Sequence, residues 1–343
     1  MIRLTAREIA NLISASVIGD DSVVVAESVE TDSRLCKSGS LFVAKPGEVT
    51  DGHLFVSNAI ANGATVAIVE HEVDEPITQL IVEDSVLALG KLAKHVVEKV
   101  RSKGNLQVIA ITGSNGKTTT KNMLREILSK HGATIAPIES YNNEVGAPYS
   151  MLRITEETKY LVLEYGAGGV GSIAYLVGLC KPDIAIELKV GMAHAGEFGG
   201  IEKTQEIKAE LVTELEAENI AILNADDPRV SQMRNLTKAK VIEFGTSANS
   251  NYWATDIQLS IQGTSFVFHT QSEEYPVQLK ILGEHHVYNA LAALSCADQL
   301  GIDLKSAISS IEAMKIAEKW RMEIHTRADG VTVINDAYNA NPE

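Results

Sequence analysis

Cysteine is scarce in this chain: Cys36, Cys180 and Cys296 are the only three in 343 residues, each more than a hundred positions from the next. An odd number at that spacing excludes a disulfide framework or a zinc knuckle, and makes a reducing cytoplasm the expected compartment. Basic charge is short as well. Lys plus Arg is 30 against 45 Asp plus Glu, a formal net charge of −15. So acidic a chain is poorly suited to holding a nucleic-acid backbone or an anionic membrane surface by bulk charge. No run of the ~18 apolar residues needed for a membrane span is present, and the start, MIRLTAREIANLI, has no continuous signal core. What is there is ordinary for folded protein: 45% hydrophobic and 22% charged residues, enough apolar material for several cores. At ~150 residues per domain the length corresponds to about 2.3 domains.

Three textures follow one another along the chain. Up to about residue 80, short apolar runs alternate with turn clusters. Gly39, Pro46, Gly47 and Gly52 surround a single Leu41–Ala44 strand, a helix-like stretch covers Phe55 to Asn62, and Thr65 to Val69 is a second strand. This reads as a small α/β unit. From Asp84 or Ser85, both good caps, Val86, Leu89, Ala93, Val96, Val97 and Val100 recur at helical spacing. The apolar segments QVIAIT, KYLVLEYG, PDIAIELKV, NIAILN and KVIEFG then alternate with helical stretches, as in a parallel sheet covered on both faces. After Phe244 the period changes to two, at Phe266 and Phe268, then Val277, Leu279 and Ile281, which indicates antiparallel strands. A further helix carries Val287, Ala290, Leu291 and Leu294 and stops near Gly301. Gly330–Asn335 reads as a new strand.

The strongest local signal is Ile111-Thr112-Gly113-Ser114-Asn115-Gly116-Lys117-Thr118-Thr119-Thr120. A buried strand runs into a glycine loop that opens a helix through Met123, Leu124, Ile127 and Leu128. Backbone N–H groups of such a loop form a nest for phosphate oxygens, reinforced by the helix N-terminus. Lys117 would reach the terminal phosphates and the Thr118 hydroxyl would face Mg²⁺. The general pattern G-x-x-x-x-G-K-[ST] is not strictly met, because Ile111 stands at the first glycine position.

The variant T-G-S-N-G-K-T-T resembles the ATP loop of the Mur ligase family, which joins an amine to a carboxylate at the expense of ATP. Further segments are similar to the D-alanyl-D-alanine-adding branch of that family: Tyr141 to Pro148 to its N-N-E-x-G-x-P loop, Asn224 to Pro228 to its N-x-D-D-P turn, and Gly283 to Ala290 to its G-x-H-x-x-x-N segment. Trp320-Arg321-Met322-Glu323 resembles the hinge, and Asp336 to Pro342 the D-x-Y-N-A-N-P turn. Thr31-Asp32-Ser33-Arg34 and Asp51-Gly52-His53 look like parts of the family's UDP-sugar-binding domain.

The resemblance implies an α/β architecture. A small N-terminal α/β domain for the UDP-sugar (1–80) precedes a central parallel-sheet, P-loop ATPase-like domain with a few antiparallel strands (81–316). Residues 317–343 would supply only the hinge and first strand of a third, Rossmann-like domain, most of which is expected to be absent. It implies ATP and Mg²⁺ in two sites, with UDP-muramoyl peptide and D-Ala-D-Ala as small-molecule substrates. The implied protein is a monomer with no nucleic-acid or membrane partner. The implied nucleotide contacts are Gly113, Ser114, Asn115, Gly116, Lys117, Thr118 and Thr119, with Asn289 at the adenine, Asp336 near the ribose and Arg321 steadying phosphate on domain closure. Ser33, Arg34, Lys45, Asn142 and Asn143 are candidates for the UDP-linked substrate.

Glu164, at the end of the LVLEYG strand, is placed to bind Mg²⁺ at the carboxyl edge of a parallel sheet; the plainer reading is a charge that finishes a strand. His194 is similar to the family's second metal ligand. Lys208 aligns with a lysine the family carbamylates, although periodicity alone favours a solvated helix lysine pairing with Glu210 or Glu214. With Lys117, the catalytic set implied is Lys208, His194 and Arg321. Two positions depart from the pattern: Lys189 stands where Asn is usual, and Ser172 follows the glycine-rich stretch Gly166–Gly171 where an acidic residue or His is common. The sequence leaves open a sister ligase for another amino acid, and a module that binds ATP and UDP-sugar without ligating.

Overall fold

The computed structural model describes the chain apart from residues 1, 48, 138, 193–194, 315–322, 336 and 338–343, and apart from the side chains of 195, 197, 323, 324 and 326. It divides into two compact units, Met1–Leu106 with Tyr141–Leu161, and Gln107–Ser140 with Val162–Glu343.

In the first unit a five-stranded sheet runs in the order Ser16–Ile18, Thr78–Ile81, Ala64–Val69, Ser40–Val43, Val29–Glu30. The last four strands are mutually parallel and the first is antiparallel to its neighbour. Phe42, Ala67 and Val69 pack with Val56 and Ala59 of the helix Val56–Ala61. The helix Ser85–Arg101 starts where Asp84 Oδ1 accepts the N–H groups of Val86 and Leu87, both at 2.8 Å. Its stripe Leu89, Ala93, Val96, Val97 and Val100 is buried, as the spacing predicts, while Val86 in the first turn is only half-buried, and the helix packs on Gly146–Met151. Packing units and functional divisions need not coincide: Ser85–Arg101 lies beyond residue 80 in sequence but packs in the first unit.

The second unit is built on a nine-stranded sheet. Its order is Glu274–Leu279, Gly263–His269, Tyr252–Ser260, Lys240–Gly245, Ile220–Asn224, Ile184–Glu187, Gln107–Thr112, Tyr160–Glu164, Thr134–Ile135. From Gln107–Thr112 through Ile184–Glu187, Ile220–Asn224 and Lys240–Gly245 to Tyr252–Ser260 every pairing is parallel, and the last two pairings are antiparallel. The five apolar segments read from the sequence are thus five neighbouring strands. Val108, Ile109, Ala110 and Ile111 are fully buried, which is why that strand is unbroken in apolar character. Burying each such large aliphatic side chain contributes about 1.5–3 kcal/mol.

The helices Lys117–Leu128, His285–Gln299 and Leu304–Glu312 pack together, as do Ser172–Leu179 and Ile201–Thr213. His285–Gln299 stops where Gly301 takes φ +72° and Ile302 N–H reaches back to Ala297 O at 3.0 Å. Glu323–Thr326 and Thr332–Asn335 form a separate antiparallel hairpin. Among the described residues no helix is long and apolar enough to cross a membrane.

Candidate active site

Gln107–Thr112 delivers the glycine loop to the sheet edge. Gly113 and Gly116 have φ +147° and +87°, a region that favours glycine. A Cβ on Gly113 would lie 2.9 Å from Leu188 Cβ, and one on Gly116 would collide with the Asn289 amide oxygen. The helix Lys117–Leu128 begins directly after Gly116, with no side-chain cap on its first N–H groups. This is the geometry of an anion nest. Lys117 Nζ donates to Gly113 O at 2.7 Å and so lies folded over the loop.

The loop is braced from behind. Ser114 N–H donates to Lys189 O at 2.7 Å, and Gly191 N–H donates to Ser114 Oγ at 2.8 Å. The 188–191 segment is itself held by the N-x-D-D-P turn. Asn224 Nδ2 donates to Leu188 O at 2.8 Å, and Asp227 Oδ2 accepts Val190 N–H at 3.0 Å. The Lys189 departure is therefore a backbone brace with an exposed side chain. Ser172 is also local: its hydroxyl donates to Gly169 O at 2.6 Å and accepts Gly168 N–H at 3.0 Å, closing the glycine-rich turn.

Beside the loop, the Thr118 hydroxyl lies 3.4 Å from Glu164 Oε2 and 3.1 Å from the Ser140 hydroxyl. Glu164 is fully buried and its Oε1 accepts no hydrogen bond. Burial pushes its carboxyl up from the usual range, against the charges of Lys121 and then Lys117. A buried carboxylate oxygen without a donor, next to two hydroxyls and the phosphate nest, fits a hard divalent cation, and Mg²⁺ characteristically takes few protein carboxylates and completes its shell with phosphate and water. Among the described residues no three His, Cys, Asp or Glu side chains gather where they could hold a metal ion. Thr119 is buried in the first helical turn. Asn289 is buried beside Gly116, its Oδ1 3.4 Å from Thr120 Oγ1 and its Nδ2 3.3 Å from His286 Nδ1.

Lys208 is not a solvated helix lysine. It is 4% exposed, and burial, then the charge of Lys117, pulls its ammonium down to about 7. Glu210 does not pair with it. That carboxylate caps the helix Ser172–Leu179 by accepting N–H groups of Gly171 at 2.6 Å, Ile173 at 3.1 Å and Ala174 at 3.0 Å. The anion acting on Lys208 is Glu187, at the end of Ile184–Glu187, fully buried with neither carboxylate oxygen accepting a hydrogen bond. Burial pushes the Glu187 carboxyl upward while Lys208 and Lys117 pull it back.

Glu187, Lys121 and Ser140 are the residues that motif reading passes over. A visible signal existed for two: Glu187 interrupts the apolar run of its strand, and Lys121 lies beside the apolar positions of the phosphate-loop helix. His194, Arg321 and Asp336 lie outside the described residues.

In the first unit the candidate substrate residues Ser33 and Arg34 open the short 3-10 helix Ser33–Leu35, and Lys45, Asn142 and Asn143 are on loops. Ser33 is buried and its carbonyl accepts Asn62 Nδ2 at 3.0 Å. Arg34 is exposed and chelated by Asp32 through Nε at 2.9 Å and Nη2 at 2.6 Å. Lys45 O accepts Gly52 N–H at 3.0 Å, which ties it to the Asp51-Gly52-His53 turn. Asn143 Oδ1 accepts Gly146 N–H at 2.9 Å and starts the helix Gly146–Met151, while Asn142 is half-buried beside it. The Tyr149 hydroxyl on that helix donates to Glu30 Oε2 at 3.0 Å, bringing the asparagine loop to the strand that leads into Asp32–Arg34.

Comparison with known proteins identifies the family. Residues 111–297 match the Mur ligase middle domain and residues 26–131 the Mur ligase family catalytic domain. The UDP-N-acetylmuramoyl-tripeptide–D-alanyl-D-alanine ligase of Mycobacterium bovis is 37% identical over 368 residues, covering 100% of this chain and 72% of the relative. The crystal structure of MurF from Acinetobacter baumannii superposes with a TM-score of 0.91 at 35% identity, covering 100% of this chain and 74% of that one. MurF from Thermotoga maritima, solved in complex with ADP, gives a TM-score of 0.81 at 29% identity, covering 93% and 72%. The chain belongs to the Mur ligase family, in its UDP-N-acetylmuramoyl-tripeptide–D-alanyl-D-alanine ligase branch.

Proposed function

We propose that this chain is an ATP-dependent amide ligase of peptidoglycan synthesis that adds D-alanyl-D-alanine to a UDP-N-acetylmuramoyl tripeptide. The observation that carries the ATP half is the phosphate nest, with Gly113 and Gly116 in conformations a side chain would obstruct and Lys117 folded across the opening. The family relationship carries the substrate half. Functionally, residues 1–80 serve the UDP-sugar, 81–316 the ATP and 317–343 the hinge.

A carboxylate is a poor electrophile, so the tripeptide carboxylate first takes the γ-phosphoryl group of ATP. The amine of D-Ala-D-Ala then displaces phosphate from the acyl phosphate. In both halves negative charge gathers on oxygens that the site must already be arranged to receive. The loop N–H groups and Lys117 hold the phosphates, and Thr118 with Glu164 would hold Mg²⁺. When bound, Mg²⁺ neutralises charge on the transferring phosphoryl group. Asn289 bounds the nucleotide beside Gly116. Ser33, Arg34 and Lys45 serve the uridine nucleotide, with Asn142 and Asn143 at the tripeptide end. His194, Arg321 and Asp336 keep the metal, phosphate and ribose roles that the resemblance implies.

Lys208 is carbamylated in this reading. Burial favours the neutral amine, whose nitrogen adds to CO₂ and releases a proton, turning a cation into an anion that would hold a second Mg²⁺. Mass spectrometry of the intact chain kept under CO₂ is expected to show one carbamate on Lys208, and an unmodified lysine in a fully active preparation overturns this role. The function itself is tested by phosphate release. Release that depends on both UDP-muramoyl tripeptide and D-Ala-D-Ala is the expected result, and nucleotide binding without dipeptide-dependent release would leave only a binding module.

A further inference from the structure

Lys121 is the most deeply buried cation among the described residues of the second unit, fully shielded from solvent one helical turn beyond Lys117. Its ammonium lies 3.6 Å from Glu164 Oε1, whose side chain is equally buried. It also donates to two backbone carbonyls of the following loop, Pro137 O at 3.0 Å and Glu139 O at 2.9 Å. Neither feature is incidental. A buried lysine needs compensation for its lost hydration, and here it is shared between the candidate metal ligand and a loop. That loop is unusual in its own right. Glu139 is an exposed, non-glycine residue with φ +56°, a conformation that persists only where surrounding contacts over-determine it. The next residue is Ser140, whose hydroxyl is 3.1 Å from that of Thr118, itself 3.4 Å from Glu164.

We propose that Lys121 is a positioning residue for the metal edge: one ammonium group orients the Glu164 carboxylate and pins the left-handed turn that brings the Ser140 hydroxyl to Thr118. The proposal rests on the reading of Thr118 and Glu164 as the Mg²⁺ edge, and it adds Ser140 to that edge. Lys121 touches neither nucleotide nor metal. Its ammonium, 3.6 Å from Glu164 Oε1, fixes where that carboxylate points, and its two carbonyl contacts keep the loop from relaxing to an ordinary turn. Groups that orient metal-binding side chains in this way typically change metal affinity by about 10–100-fold when removed.

The test is metal binding to the ADP-bound chain, read by Mn²⁺ electron paramagnetic resonance, alongside calorimetric ADP binding in EDTA. Lys121→Met and Ser140→Ala are expected to bind ADP in EDTA as the wild type does, because the phosphate nest is intact. Their Mn²⁺ affinity is expected to fall by about tenfold or more. In a Glu164→Gln background, Lys121→Met is expected to weaken Mn²⁺ binding further only through Ser140, by less than it does in the wild type. A purely structural lysine would give equal losses in both backgrounds.

Unchanged Mn²⁺ affinity in folded Lys121→Met overturns the proposal. Should Lys121→Met fail to fold, the double variant with Glu164→Gln, which removes both buried charges, is expected to fold, and its failure also overturns it. A wild-type chain that binds neither ADP nor Mn²⁺–ADP would instead sink the nucleotide-site reading.

Discussion

Two buried lysine–glutamate pairs flank the phosphate-loop strand, Glu164 ending the strand on one side and Glu187 the strand on the other. They are alike in burial and opposite in construction. Lys121 and Glu164 stand 3.6 Å apart, and Lys121 gains two backbone carbonyls besides. Glu187 receives no hydrogen bond, and Lys208 acts on it only through its charge. The first pair is a brace: the Lys121 charge meets one carboxylate and two carbonyls, while Glu164 Oε1, which accepts no hydrogen bond, stays open toward a cation. The second is left electrically incomplete, and burying unmatched charge is costly enough that such a group commonly shifts toward neutrality. That is the state a lysine needs if it is to be modified. Satisfied charge holds the site together, and unsatisfied charge is where its chemistry is set.

The largest effect is expected where one group acts on both pairs. Lys117 exerts its charge on Glu164, Glu187 and Lys208 alike and covers the phosphate nest. Lys117→Ala is expected to abolish measurable phosphate release, a loss of at least about 10²–10³-fold in turnover for a charge-stabilising group. Wild-type-like turnover would remove the phosphate-loop assignment. The next effect separates the pairs directly. Lys121→Met strands a buried carboxylate and is expected to cost about 3–5 kcal/mol of stability. In the unmodified chain, Lys208→Met removes an amine that burial already holds toward neutrality, and is expected to change stability by less than about 1–2 kcal/mol. Equal losses in urea unfolding would show the two pairs to be the same device.

A smaller effect sharpens the unsatisfied pair through pH. The Glu187 carboxyl is pushed up from 4.5 to about 8, so the folded chain retains a proton that the unfolded chain has released. Wherever the folded state binds more protons, stability falls as pH rises. The contribution is therefore whole below about 4.5 and lost on the way to about 8. Lys208 acts in the opposite sense: its folded value near 7 lies below 10.5, so its burial cost is greatest at low pH and eases between those values. Glu187→Gln is expected to remove the first trend, leaving a chain more stable than wild type at pH 8 by on the order of 1–2 kcal/mol. Denaturation midpoints of the two proteins between pH 5 and 8 check this, and parallel curves would refute the placement of an uncompensated charge at 187.

What the sequence makes legible here is local. QVIAIT is a strand over the residues Gln107–Thr112, because an unbroken apolar run ending in a glycine loop has few other uses. Asp84 caps its helix as its type and place suggest. The antiparallel strands at Gly263–His269 and Glu274–Leu279 announce themselves by alternation, whereas Tyr252–Ser260, mostly exposed toward its end, does not. The site is legible where one motif carries it and obscure where distant segments meet. Ser140 reaches Thr118 through a left-handed turn built on a glutamate, which no turn rule anticipates. Glu187 advertises burial by interrupting an apolar strand, but its counter-charge comes from a helix 21 positions on, by the count from 187 to 208.

The pairing suggested for Lys208 with Glu210 fails on helix geometry, since residues two apart point to different faces. Glu210 points instead at the start of Ser172–Leu179 and accepts three of its otherwise unmatched N–H groups. A carboxylate at a helix N-terminus is favoured by both the hydrogen bonds and the aligned peptide dipoles. Glu210→Ala is accordingly expected to cost about 1 kcal/mol, the usual value of a lost cap. The loss should appear as a small, pH-independent drop in the urea midpoint, with the state of Lys208 unaltered in the mass spectrum. A change in Lys208 modification on removing Glu210 would mean that the two residues are coupled after all, and that the unsatisfied charge at 187 is shared more widely than one strand end and one helix.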